Sequence, residues 1–443
     1  MIEPALISTD QLLSTLGQLV SVPSCHGQPE ALADGAARVA ALMRAQQLAV
    51  TTIATPGAPV VIGRMPGRSP FTLLLYHHYD VAPAGVWRAW HHEPFQLAER
   101  EGMLYGRGVA GGKGPLAAHL SAIAALREAE GQLPCGVVIV AEGEAHAGSP
   151  NLAAVVSDAY GLLKADACLA SAGERDSADR PFCYTGAKGL LQLRLRARGA
   201  ALALPPGMAA SVTNPVWRLI WALAQIKTDQ EEVLIEGFYD DVEGPSRSEN
   251  QAMRDRSMDE QSRKQAWQIP QFLFGLEGAA LVRTEATLPT CNVTDILVEP
   301  AGELALVPTS ASARLDFQLV PRQRPRALTE LLRAHLSAKD LDDIEVERLP
   351  GGYPGTHTAF EHPFIQRLRE ASAGLYGEPL SLLPQGPFTQ PLYFFAEAFG
   401  LPVAAVGCAQ AGGGAYAPNE HIRIHDLIRH GQLLIELIGA SAA

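Results

Sequence analysis

The chain has 443 residues, 47% hydrophobic and 19% charged. That composition supplies apolar material for two or three ordinary domains and excludes a disordered chain. Lysine and arginine number 35 against 47 acidic residues, a formal net charge of -12, and an acidic surface repels phosphate backbones, so nucleic acid is excluded as a general partner. No apolar run reaches the ~18 residues needed to cross a bilayer. The first ten residues carry no basic stretch ahead of an apolar one, and the six cysteines are scattered without a CxxC pair. The expectation is a cytoplasmic protein with reduced thiols and no membrane attachment.

Residues 11–20 and 30–47 read as amphipathic helices, and 72–76 as a short buried strand that ends in a polar cluster. Residues 114–130 form a helix of small and apolar side chains, and 136–141 and 167–170 are further buried strands. Strand and helix in alternation imply a mostly parallel sheet covered on both faces. From 190 to 198, Leu alternates with Gln or Arg, the mark of a half-exposed strand. Asn214 and Pro215 start a helix through Ala224. Strands follow at 292–298, 312–320 and 344–349, with a helix at 326–336, and 240–268 is a polar excursion. Helix (363–376), strand (402–406) and helix (424–438) close the chain. The organisation expected is an α/β domain, 1–186 and 351–443, interrupted by an α+β ferredoxin-like domain, 187–350.

The chemistry-bearing landmarks come in blocks. His78-Tyr79-Asp80 ends a buried strand, where side chains at i and i+2 share a face and a carboxylate can fix an imidazole's tautomer. Gly106-Arg107-Gly108-Val109-Ala110-Gly111-Gly112-Lys113-Gly114 follows, then Glu142-Gly143-Glu144-Ala145-His146-Ala147-Gly148-Ser149. Near the end stands Gly412-Gly413-Gly414-Ala415-Tyr416-Ala417-Pro418-Asn419-Glu420. The glycines around 111–114 lack the spacing of a P-loop.

In order and spacing these blocks resemble the two-zinc peptidases that include carnosine dipeptidase, carboxypeptidase G and the diaminopimelate desuccinylase. Gly237-Phe238-Tyr239-Asp240-Asp241-Val242 resembles the carnosine dipeptidase branch. The resemblance implies two zinc ions, a bridging carboxylate and a glutamate base. It places a zinc histidine at His78 and its orienting carboxylate at Asp80. It places the bridging aspartate at Gly111, the base at Ala145, a zinc glutamate at His146, a further acidic ligand at Ala172 and the last histidine at Tyr416. The histidine that the inserted domain donates to a neighbouring subunit falls on Leu204. The carboxylate-gripping arginine falls on Gln318, and the serine of a binding loop on Thr389.

With these positions so filled, the expectation is no tight metal site and no cofactor, with zinc at most weakly held. The functional expectation is a non-hydrolytic homologue that binds a small polar metabolite or a protein partner. One alternative is a metal-independent enzyme with His78 and Asp80 as base and His146 or Tyr416 as donor. A second is a weak single-metal amide-bond hydrolase. A ligand is expected where His78, His146, Thr389 and Tyr416 converge, in the cleft between the domains. A homodimer through the inserted domain is expected, with 190–198 as the free edge.

Overall fold

Short apolar runs bounded by glycine, proline and polar residues become the strands of an eight-stranded sheet. In this computed structural model, residues 6–176, 178–254, 258–302, 304–410 and 412–442 are described. The sheet order is Ala49–Ile53, Val60–Met65, Gly136–Glu142, Thr72–His78, Ala167–Ser171, Val403–Val406, Phe182–Tyr184, Ser381–Leu383. The four central strands, Gly136–Glu142 through Val403–Val406, run parallel. The hairpin Ala49–Ile53/Val60–Met65 adds an antiparallel edge.

Alternation along each strand divides the apolar side chains between two cores. Leu73, Leu75, Val137 and Ile139 pack with the helices Thr9–Val20, Lys113–Glu130 and Ile424–Ala440. Leu74, Tyr76, Val138 and Val140 pack on the other face with Leu152, Val155 and Phe395. The helix Lys113–Glu130 is buried over most of its length. Its small residues let Ile424–Ala440 approach closely. A Cβ on Gly431 would stand 2.9 Å from the Ala118 carbonyl oxygen, so only glycine fits that crossing.

The chain divides into two compact units, Met1–Ala187 with Pro245–Thr287 and Thr356–Ala443, and Lys188–Gly244 with Leu288–Gly355. The polar segment around 240–268 therefore groups largely with the larger unit. There it forms the helices Arg247–Arg254 and Glu260–Trp267, followed by Gly278–Thr287; residues 255–257 lie outside the described residues. Arg263 explains the attachment. It is 2% exposed, donates to both Glu285 oxygens at 3.0 Å and to Glu174 at 2.8 Å, and lies over the Trp267 ring. Both carboxylates keep some solvent contact. Arg263→Met is therefore expected to cost about 2–3 kcal/mol, below the ~3–5 of a fully buried pair broken on one side. Denaturant unfolding checks this, and adding Glu285→Leu should recover part of the loss. An unchanged midpoint in the single variant would refute it.

The smaller unit is an antiparallel sheet ordered Thr290–Glu299, Ser310–Leu319, Ala187–Arg198, Glu345–Arg348, with the helices Pro215–Ala224 and Pro325–Ser337. In chain order this is strand-helix-strand-strand-helix-strand, the ferredoxin-like plan. Leu191, Leu193 and Leu195 face the helices, and Gln192, Arg194 and Arg196 face away. One expectation is corrected here. Ala187–Arg198 is an interior strand, paired on both sides, and the outer strands are Thr290–Glu299 and Glu345–Arg348. The alternation that marks a one-sided strand says nothing about its lateral neighbours.

Candidate active site

The parallel strands Thr72–His78, Gly136–Glu142 and Ala167–Ser171 all end at one edge of the sheet, the edge where ligands bind in such folds. His78 pairs in register with Glu142. Two residues on, the buried Asp80 turns its carboxylate back. Its Oδ1 lies 3.2 Å from His78 Nδ1 and its Oδ2 lies 3.0 Å from His146 Nδ1. The His146 backbone N–H donates to the same Oδ2 at 2.9 Å. The two rings stand edge to face, centroids 5.2 Å apart.

A carboxylate only accepts, so without an ion each Nδ1 carries the proton in these bonds, and an ion held by the three residues together would take the place of those protons. Burial alone would lift Asp80. The hydrogen bonds from His146 and His78 outweigh it and hold the carboxyl well below the usual range. Burial pushes His78 down, but the bond and charge of Asp80 prevail and raise it.

His78, Asp80 and His146 each offer a ligand atom, all within 4.8 Å of one another. Among the described residues this is the one group of three or more such side chains so placed. Two imidazoles and a carboxylate with positions left open are the donor set of catalytic zinc and of other divalent transition ions, so the residues present fit such an ion. The expectation of no cofactor is corrected on this ground. Asp80 had been counted only as the partner of His78, and the fold brings His146 to its second oxygen.

Around the trio the loops are tightly fixed. Glu420, 2% exposed, accepts from Arg107 Nη1 at 2.9 Å, from the Gly108 amide at 3.0 Å and from the Ala110 amide at 2.9 Å. This carboxylate joins the glycine-rich block to the loop that carries Tyr416. Gly112, at φ +63°, lies against His78, where a Cβ would stand 2.8 Å from the ring and from the carbonyl oxygen. At Gly111, by contrast, a Cβ would meet open space. Tyr416 has φ +71°, and its ring stands edge-on to His146 at 5.5 Å.

Other residues singled out by sequence are placed differently. Ala145 opens the short 3-10 turn Ala145–Ala147, and Ala172 follows the strand Ala167–Ser171 with its N–H bonded to Val406. Thr389 ends the strand Gly386–Thr389 in the larger unit, with no hydrogen bond or ring contact to the trio among the described residues. Gln318 belongs to the smaller unit and donates to Asp316 at 2.6 Å.

Sequence reasoning missed a second layer. Glu142 Oε1 accepts from Ser149 at 2.8 Å and from the Tyr76 hydroxyl. Burial lifts its carboxyl to about 7 against these bonds. His77, on the opposite face of the strand from His78, meets His119 at 3.0 Å. His119 stacks on His430, and His430 Nε2 lies 2.8 Å from Ser171 Oγ. No local motif marks these partners, since His119 and His430 lie on helices far away in sequence.

Residues 74–440 match peptidase family M20/M25/M40. The chain is 24% identical over 454 residues to a probable di- and tripeptidase of Saccharomyces cerevisiae, covering 95% of this chain and 49% of that protein. It is 24% identical over 351 residues to the human Beta-Ala-His dipeptidase, covering 74% of this chain and 69% of that one. The chain thus spans about half the length of the first of these relatives. An M20 family metallo-carboxypeptidase from Sulfolobus solfataricus superposes with a TM-score of 0.90 at 29% identity, over 98% of this chain and 99% of that one. Human carnosine dipeptidase 1 superposes at 0.85 with 20% identity, over 98% and 97%.

These relatives overturn the reading of a non-hydrolytic binder, and with it the metal-independent alternative. The chain aligns along most of its length with proteins named as dipeptidases, and it retains a group able to hold a metal. With its sheet covered by helices on both faces, its ferredoxin-like unit and this match over residues 74–440, the chain belongs to peptidase family M20/M25/M40.

Proposed function

We propose that this chain is a metal-dependent peptidase acting on short peptides, with one divalent ion held by His78, Asp80 and His146. The observation that carries the reading is the shared carboxylate. One buried Asp80 orients two imidazoles at the carboxyl edge of the sheet. When bound, the ion would supply Lewis acidity toward a peptide carbonyl and lower the pKa of a water. The residues supply the rest. Asp80 brings both imidazoles to one point, and the Glu420 clamp holds the neighbouring loops in place. Gly111, Ala172 and Tyr416 stand where the two-zinc resemblance asks for further ligands, so the site is a reduced, one-ion version. The relatives named for di- and tripeptides support small substrates.

Elemental analysis of protein grown with added zinc should give about one ion per chain, and a dipeptide and tripeptide panel should show hydrolysis that a chelator stops. Metal-free protein that hydrolyses the panel unchanged would sink the reading, as would protein that binds no ion.

The expected homodimer is also part of this proposal. In the smaller unit, Trp217, Ile220 and Trp221 are exposed on one helix, and Val293, Ile296 and Leu297 are exposed on the outer strand Thr290–Glu299. An open strand edge beside exposed apolar side chains favours pairing with a second copy. Light scattering should give twice the 47.2 kDa of one chain, and Trp221→Glu should shift it toward the monomer. A parent that is monomeric at micromolar concentration refutes this. All six cysteines are free and buried, which fits a reducing, cytoplasmic setting.

A further inference from the structure

We propose that the Tyr416 hydroxyl donates a hydrogen bond to the carbonyl oxygen of the scissile amide as negative charge develops there. The proposal rests on the metal-peptidase reading above.

Three observations place the residue. Its ring lies edge-on to His146, one of the three candidate ligands, at 5.5 Å. Its backbone is at φ +71°, a conformation that glycine takes freely and that costs an aromatic residue on the order of 1–3 kcal/mol. The same loop has glycine at 412 and 414, both also at positive φ. An aromatic residue at 416 keeps the strained conformation where glycine would relieve it. The strain is sustained from below. Arg107 Nη2 donates to the Tyr416 carbonyl at 3.4 Å, and Arg107 is itself held by Glu420.

The third observation is that the side chain is unused within the fold. Tyr416 is 72% exposed, and no hydrogen bond among the described residues involves its hydroxyl. A phenol hydroxyl is a hydrogen-bond donor. An uncharged donor next to an ion held by the trio would complement an oxygen that is neutral in the substrate and anionic in the transition state. Such a donor therefore acts mainly on the rate of the chemical step and little on substrate affinity.

Tyr416→Phe removes only the hydroxyl of a largely exposed side chain, so the fold is retained. In zinc-loaded protein, kcat on a dipeptide should fall about 100-fold, the scale of losing one such donor, with KM within roughly threefold of the parent. Zinc affinity, measured by titration calorimetry, should stay unchanged. Binding gives a readout apart from turnover. A phosphinic dipeptide isostere, which mimics the tetrahedral state, should lose affinity about 100-fold in the variant, while a dipeptide product should not. An unchanged kcat or unchanged phosphinate affinity in Tyr416→Phe overturns the proposal. So does a loss of zinc affinity, which would make the phenol a ligand. A parent that binds no zinc and hydrolyses nothing fails at the earlier step and brings down both readings, whereas an active parent with an unaffected variant brings down only this one.

Discussion

Asp80→Ala is expected to weaken zinc binding by at least about 100-fold and to remove measurable peptide hydrolysis. Losing even an outer carboxylate that orients a ligating histidine costs about 10–100-fold in affinity or activity, and Asp80 is itself one of the three candidate ligands. It also bonds the His146 backbone N–H, so alanine leaves that amide without its partner and frees both rings to turn. Asp80→Asn tests the charge separately. Its amide presents one accepting oxygen and a donor group, so it can accept from one Nδ1 only, and a partial loss is expected. Calorimetric titration with zinc and chelator-reversible hydrolysis are the measurements. An alanine variant that binds zinc as tightly as the parent would show that the trio is not the metal site.

Acidification from pH 7.5 to 5 is expected to weaken the stabilisation that the buried imidazoles contribute. Burial pushes His77 and His430 down to about 3, with neighbouring His430 adding to the effect at His77 and the Arg175 charge adding to it at His430. Burial also holds His119 well below its ordinary value. The folded state therefore keeps these rings neutral, while the unfolded chain takes up protons below about 6.5. Their stabilisation is fully present above that pH and falls as pH drops through the window from 6.5 toward 3. For a ring held at about 3, the loss between pH 7.5 and 5 is about 2 kcal/mol. Glu142 works the other way. Held at about 7 in the folded state, it takes up a proton before the unfolded chain does and offsets roughly 2–3 kcal/mol. Glu420 and Asp426, raised by burial, and His78, raised by Asp80, oppose the loss in the same way, so the imidazole contribution is read by comparison with a variant. His430→Phe isolates one contribution. Its unfolding free energy should depend less steeply on pH than the parent's, by about 2 kcal/mol over this range, even though Ser171 loses its partner at every pH. Parallel pH dependences of the two proteins would contradict the assignment.

The order of the central elements was legible in the sequence because apolar periodicity and glycine–proline punctuation are local signals. The strand Thr72–His78, the helices Lys113–Glu130 and Pro363–Tyr376 and the ferredoxin-like succession all follow from them. The hairpin Ala49–Ile53/Val60–Met65 escaped because Thr51, Thr52 and Gly63 dilute its pattern. The polar excursion read as irregular because its helices, such as Glu260–Trp267, carry too few apolar residues to show a period. A buried arginine holds that segment, and the distant carboxylates that pair with it leave no trace in local sequence. The blocks around His78, His146 and Tyr416 were likewise readable one by one, and so was the absence of a bridging carboxylate at Gly111 and of a glutamate base at Ala145. What the chain alone could not reveal is that Asp80 faces two imidazoles at once. That depends on the parallel pairing of Thr72–His78 with Gly136–Glu142, which brings His146 to the second oxygen of Asp80, 66 positions away. Local sequence determined which residue types were present. Strand register decided which of them share an atom, because side-chain placement across a sheet is set by pairing partners that propensity and spacing do not encode.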